Sequence, residues 1–235
     1  MISVKELSKS FGKLTVLNSL NLEVPDGGAF VILGPNGSGK TTLIKSILGM
    51  VIPESGSISI DGQSILGEHS YRNEIDYLPQ IANFPDNLSV KELITLIKDL
   101  REKPTREEEL ISLFGLQPYL DKKLGNLSGG TKQKVNIVLT FMFDCSLIIL
   151  DEPTTGLDPN ALINLKDLIR KEKALGKTIL ITTHILSFVE EMADEIVFLL
   201  EGHIHFKGTV DQLQDRTGQN DLEHAIAAVM NTEHV

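Results

Sequence analysis

Only one cysteine occurs in the 235 residues, Cys145, so no disulfide can form within the chain. It lies inside the apolar run FMFDCSLIIL, where a buried, inert thiol is expected, and sparse cysteine fits a cytosolic compartment. Basic blocks are missing too. With 22 Lys and Arg against 32 Asp and Glu, the formal net charge is −10, which argues against a nucleic-acid footprint. Nor is there an apolar run of membrane-spanning length: the longest apolar-rich stretch, 135–150, is broken by Asn136, Asp144 and Ser146. The opening MISVKELSKSF lacks the apolar core of a signal peptide, so the chain is not expected to cross a membrane by itself. Repeats, low-complexity segments and a splitting linker are absent as well. What the sequence does hold is core-forming material, with 41% of residues hydrophobic.

Apolar and polar residues alternate in ISV and LNLEV, separated by Gly12 and Lys13, which predicts short antiparallel strands forming an edge β element. AFVIL (29–33) is a continuous apolar run, as a fully buried parallel strand requires, and Leu43, Ile44, Ile47 and Leu48 have helical spacing that ends at Gly49. SISIDGQSI predicts a strand with a turn at Asp61-Gly62, and EIDYLPQ another that ends at Pro79. The period then changes. Ser89 with Glu92 forms a capping box opening VKELITLIKDLR, and Thr105 with Glu108 opens REEELISLF, stopped by Gly115; REEEL reads as a solvated helix face. Strand character returns in LIIL, TILITT, EIVFLL and HIHFKG, the last two joined at Glu201-Gly202. Asp158 as N-cap, Pro159 at the first helical position and Gly176 past the end bracket a helix with Leu162, Leu165, Leu168 and Ile169 inward. DLEHAIAAVM predicts a short amphipathic helix.

The stretch Gly34, Pro35, Asn36, Gly37, Ser38, Gly39, Lys40, Thr41, Thr42 lies between the AFVIL strand and that first helix, and fits G-x-x-x-x-G-K-[ST]. Its glycines let backbone N–H groups converge on a polyphosphate at a helix N-terminus; Lys40 reaches the outer phosphates and the Thr41 hydroxyl serves Mg²⁺. A tight turn that happens to carry Lys-Thr is the plainer alternative, and the strand before and helix after weigh against it. In LIILDE, Asp151 and Glu152 end a buried strand, where a Mg²⁺-water ligand and a general base must stand. NLSGG, Asn126 to Gly130, is a second glycine-bearing helix start and so a second anion cradle: Ser128, Gly129 and Gly130. The fold class is α/β, a P-loop NTPase core with a mostly parallel sheet, an N-terminal antiparallel β element and a helical subdomain. One domain is expected over 1–235, with the core from 1–80 and 145–213, the helical subdomain at about 81–144 and a helical tail from 214–235.

With these motifs the sequence resembles the ATP-binding-cassette (ABC) ATPases from Val4 to about Leu213. The resemblance implies that NLSGG is the signature loop that closes on ATP held by an opposite subunit. It implies further that Gln80 contacts Mg²⁺ and the attacking water, that Asp158 in TTGLDP lies in a dimer-interface loop, and that His184 contacts the γ-phosphate. Phe11, where the family more often has tyrosine, would stack on adenine. The signature continues as Thr131-Lys132-Gln133-Lys134, which departs from the family's usual Arg at the last position and touches tuning rather than phosphate contact.

The expected cofactors are ATP and Mg²⁺, and the expected partners are a second copy of the chain, in a homodimer across two ATP sites, and a separate transmembrane permease. Localisation is then cytoplasmic, peripheral on the inner face of the cell membrane through that permease, with the segment IANFPDNL and its Phe84 at the contact. The length leaves no room for the regulatory C-terminal domain of many importers of the family, and the likeness is greatest to ABC-2-type exporters, so ATP-driven export is expected. A soluble ABC-type ATPase acting as a regulatory or mechanical module is the rival, which tandem cassettes or basic patches would have signalled. His203 and His205, on one face of a strand, have no third ligand in view and read as part of an exposed hairpin.

Overall fold

The computed structural model of the chain describes residues 1–231. In chain order the elements are β1 (Ile2–Phe11), β2 (Leu14–Val24), β3 (Gly28–Leu33), α1 (Lys40–Ile47), β4 (Ser55–Ile60), β5 (Gln63–Ser64), β6 (Ile75–Leu78), α2 (Val90–Arg101), α3 (Glu107–Leu113) and α4 (Gly129–Phe141). They continue with β7 (Leu147–Asp151), α5 (Pro159–Ala174), β8 (Thr178–Thr183), α6 (Leu186–Met192), β9 (Glu195–Leu200), β10 (His203–Gly208), α7 (Val210–Thr217) and α8 (Leu222–Asn231). Internal contacts divide the chain into two units: Met1–Arg72 with the chain from Thr178 onward, and Asn73–Lys177.

The first unit holds two sheets. In one, β10, β9, β3 and β8 lie side by side, with β3 parallel to both β8 and β9 and β10 antiparallel at the edge. This placement explains the AFVIL run. A strand with neighbours on both edges and apolar cover on both faces has no solvated side to alternate toward, and Ala29 through Leu33 are all buried. The second sheet, in order β2-β1-β4-β5, corrects the expectation of a short edge element: β1 and β2 are 10 and 11 residues long, and β1 lies inside the sheet between β2 and β4. Register shifts along the β1–β2 pair hide this length from a strict alternation test. Asp61 and Gly62 both take positive φ, 51° and 77°, as a two-residue hairpin turn needs, and Glu201 and Gly202 repeat the arrangement between β9 and β10.

The second unit pairs β6 with β7 in parallel and packs α2, α3, α4 and α5 with them in the sequence from 73 to 177. Ser89 and Glu92 make the expected capping box, with Glu92 N–H donating to the Ser89 hydroxyl at 3.2 Å and Ser89 N–H to the Glu92 carboxylate at 2.7 Å. The matching expectation for Thr105 and Glu108 fails. The N-cap position of α3 is Arg106, no side chain caps it, and Thr105 bonds to Glu107 instead. The cause is Arg106 itself, whose guanidinium turns inward to the Phe141 carbonyl at 2.9 Å and to Glu172 at 2.6 Å. REEEL is therefore not simply a solvated face. In α5 the buried stripe runs through Ala161, Leu165, Leu168, Ile169 and Glu172, so Leu162 sits half-buried on its flank rather than inward.

Glu172 is fully buried and pairs with Lys177 at 2.6 Å as well as with Arg106. Burial alone would lower the Lys177 ammonium, but its pairing with the Asp144 and Glu172 carboxylates outweighs it and holds the group raised. Removing one cation leaves a buried carboxylate half-compensated. Arg106→Ala is thus expected to lower unfolding stability by about 2–4 kcal/mol, read from urea midpoints at unchanged slope. Cys145 is buried as expected, its thiol pushed up to about 12 by burial and by Asp76.

Candidate active site

In the first unit, β3 delivers the chain straight into the glycine-rich loop. Lys40 is the first residue of α1, and its ammonium, almost fully buried, curls back to donate to the Gly34 carbonyl at 2.7 Å and the Pro35 carbonyl at 3.2 Å. Pro35, Asn36 and Gly37 are exposed, Thr41 and Thr42 half-buried. Gly39 is the N-cap of α1, at φ 107°, and a Cβ there would stand 2.8 Å from the Val16 carbonyl oxygen. Conformation and space both demand glycine. No side chain caps α1 and no acid lies in its first turn, so its N–H groups and positive dipole end stay available to an anion. The Ser38 hydroxyl is buried in the same loop with no hydrogen-bond partner among the described residues. An orphaned donor in a cradle of N–H groups, beside a cation, fits a polyphosphate.

Phe11 ends β1 with its ring half-exposed at 53%, and the Lys9 ammonium lies 5.3 Å from its centroid. His184 follows β8 and is exposed; the next residue's N–H donates to the Thr183 hydroxyl at 3.1 Å, which turns the chain there. His203 and His205 sit in the β9–β10 hairpin, with Asn18 at 3.1 Å from one ring and the Leu200 carbonyl at 3.2 Å from the other.

In the second unit, β7 is buried along its whole length and ends at Asp151, with Glu152 buried directly after it. Glu152 adopts φ 48°, left-handed backbone that a non-glycine residue holds at a cost on the order of 1–3 kcal/mol. Gln80 stands exposed after β6 and Pro79. The Tyr77 phenol, in β6, is pushed up to about 12 by burial and then by the Asp151 charge, so it stays neutral.

Ser128 is the N-cap of α4, accepting from Thr131 N–H at 3.3 Å, and it is exposed together with Gly129. The first turn of α4 carries no acid. A Cβ at Gly130 would come within 2.7 Å of the Gly156 carbonyl oxygen, so the signature helix start and the TTGLDP loop touch backbone to backbone. Asp158 caps α5 through Ala161 N–H at 2.9 Å and pairs with Lys134 at 2.6 Å. Lys134 first, and then that N–H, hold its carboxyl below the usual range, so the cap and pair are intact at neutral pH and weaken only as pH falls through the lowered value.

Sequence reasoning identified Lys134 only as a departure and missed its partner, along with Gln133 and Asn136. Gln133 donates to the Pro153 carbonyl at 3.4 Å and Asn136 to the Pro79 carbonyl at 3.0 Å, both from the buried side of α4. The available signal was Asn136 itself, a polar residue within an apolar stripe. Its partner's identity depends on a contact 57 residues away in sequence.

Comparison with known proteins bears on this geometry. The sequence model of the ABC transporter family matches residues 17–155, and a shorter match, to an AAA-domain model, covers 122–190. The chain is 36% identical over 220 residues to the Nod factor export ATP-binding protein I of Rhizobium meliloti (strain 1021), covering 91% of this chain and 66% of that protein. It therefore spans about two thirds of that relative's length. To the lantibiotic transport ATP-binding protein SrtF of Streptococcus pyogenes it is 36% identical over 208 residues, 87% of this chain and 89% of the relative. A solved ATP-binding subunit of an ABC transporter superposes with a TM-score of 0.91 at 32% identity, covering 98% of this chain and 99% of the other. The chain belongs to the ABC transporter family, as one of its ATP-binding, ATP-hydrolysing cassettes.

Proposed function

We propose that two copies of this chain sandwich two Mg-ATP head to tail and deliver the closing motion to a separate membrane permease, driving export. The observation that carries the reading is the second helix N-terminus: α4 presents exposed Ser128 and Gly129, with no acid in its first turn, in a chain with one Lys-bearing loop. A second cradle without its own lysine suits a phosphate that is already held elsewhere. Each γ-phosphate would be held by Lys40 and His184 of one copy and by Ser128 and Gly130 of the other, with Phe11 against adenine and Asp158 in the interface loop. One chain type supplies every part, so a symmetric dimer suffices.

Thr41, Gln80 and Asp151 offer oxygen donors of the kind Mg²⁺ prefers, and a bound Mg²⁺ would neutralise charge on the phosphates. Among the described residues no group of three or more His, Cys, Asp or Glu forms a metal cage. Glu152 orients the attacking water and takes its proton.

No described helix is long and apolar enough to cross a membrane. The spanning partner of this reading is a separate permease, met at the inner face through IANFPDNL and its half-buried Phe84. The export and transport functions named for the two relatives support the direction. Ser128→Arg places a long cation at the closing surface and is expected to abolish ATP-dependent dimerisation, measured by light scattering. ATP turnover should fall at least about tenfold, by loss of donors aimed at the phosphate. Dimerisation and turnover at wild-type levels in this variant would rule out the sandwich.

A further inference from the structure

Helix α4 carries a buried polar ridge at Gln133, Asn136 and Thr140, spaced so that all three share one face, and each is only 4% exposed. Around them lie Val135, Ile137 and Phe141, fully buried. Burying amides among such neighbours is costly unless they are bonded, so the partners matter. Asn136 Nδ2 donates to the Pro79 carbonyl at 3.0 Å and to the Gln133 side-chain oxygen at 3.4 Å, and Gln133 Nε2 donates onward to the Pro153 carbonyl at 3.4 Å. Thr140 donates to the Tyr77 carbonyl at 3.2 Å and to the Asn136 carbonyl of its own helix at 2.9 Å.

The two outer carbonyls occupy particular places. Pro79 directly precedes Gln80, and Pro153 directly follows Glu152. Because a peptide unit is planar, fixing the Pro79 carbonyl fixes the plane through which Gln80 leaves β6. The Pro153 carbonyl lies one peptide beyond Glu152, in the plane shared with Thr154; fixing it restrains Glu152, whose backbone is already in the left-handed region, through the locked φ of the Pro153 ring. The same helix is N-capped by Ser128.

We propose that Asn136 and Gln133 form a positioning relay, Pro79 carbonyl to Asn136 to Gln133 to Pro153 carbonyl, that sets Gln80 and Glu152 against one another and ties both to the signature helix. Thr140 meets β6 two residues earlier, at Tyr77, and serves only to fasten the helix. The inference rests on the ATPase reading and on Glu152 and Gln80 acting on the attacking water.

The test uses the full chain and steady-state ATP hydrolysis with Mg²⁺. Asn136→Leu keeps the branched shape and the number of side-chain heavy atoms and removes the donor. Its kcat should fall between tenfold and about 10²-fold, as small misplacements of reacting groups do, with KM within about threefold. In a Glu152→Gln background it should still dimerise with ATP. Gln133→Leu should lose a comparable factor, and the double variant should be no slower than the slower single one, since both break one relay. Thr140→Val should lower the thermal midpoint with kcat within about twofold. If Asn136→Leu fails to fold, Asn136→Ala, which also removes the donor, carries the same comparison. Wild-type kcat in the Asn136 variant, an equal kcat loss in Thr140→Val, or multiplied losses in the double variant would each overturn the relay. A wild-type chain that neither binds nor hydrolyses ATP would instead sink the reading beneath it.

Discussion

Glu152→Gln is expected to slow ATP turnover by about 10²- to 10⁴-fold while leaving ATP binding intact, the range that loss of a general base produces. The substitution changes almost no volume and keeps the buried neighbours of Glu152, so the effect is chemical rather than structural. The residue's left-handed backbone, φ 48°, points the same way: a strained conformation at the end of a buried strand persists because the surrounding packing enforces it. With hydrolysis blocked, the closed state should accumulate. The solution mass of Glu152→Gln should then double on adding Mg-ATP and remain that of a monomer without it. Turnover within about fivefold of wild type would remove Glu152 as the base. A monomer under both conditions, with ATP bound, would mean that the membrane partner is needed to hold the two chains together.

Lys40→Ala is expected to weaken ATP binding by about 10- to 100-fold, following the 1.5–3 kcal/mol typical of hydrogen bonds to a charged group and 1.4 kcal/mol per factor of ten. The ammonium is nearly buried and bonded to the Gly34 and Pro35 carbonyls, so the loop holds it in place beside the exposed Asn36 and Gly37. Preorganisation of this kind lowers the ordering cost of binding. Calorimetric titration with a non-hydrolysable ATP analogue reads the effect directly, and Lys40→Arg, longer and planar, should recover only part of it. Affinity within about threefold of wild type in Lys40→Ala would mean that the backbone donors and helix N-terminus hold the phosphates unaided.

The candidate site could be proposed from the chain because its motifs are local. Gly34 to Thr42 carry their spacing, their flanking strand and their flanking helix within a few dozen residues, and Asp151-Glu152 announce themselves at the end of an apolar run. Asp158 with Pro159 gave the start of α5, and Ser89 with Glu92 the start of α2. Thr105 with Glu108 has the same spacing and failed. The difference lies in Arg106, whose partner Glu172 is 66 residues away and draws the first turn inward. A local signature holds where nothing distant competes for the same backbone.

The glycine-rich loop, the acidic strand end, the start of α4 and the α/β alternation follow from period, capping and glycine placement over short spans, and so could be read along the chain. That β1 and β2 build a separate sheet with β4 and β5, that Lys134 pairs with Asp158, and that Asn136 and Gln133 reach the carbonyls beside Gln80 and Glu152 emerged from long-range packing. The physical reason is the same in each case. Backbone carbonyls are identical in every residue, so the sequence marks a buried donor such as Asn136 without naming its acceptor. Packing chooses the acceptor, because a buried amide must find a partner and the fold offers one.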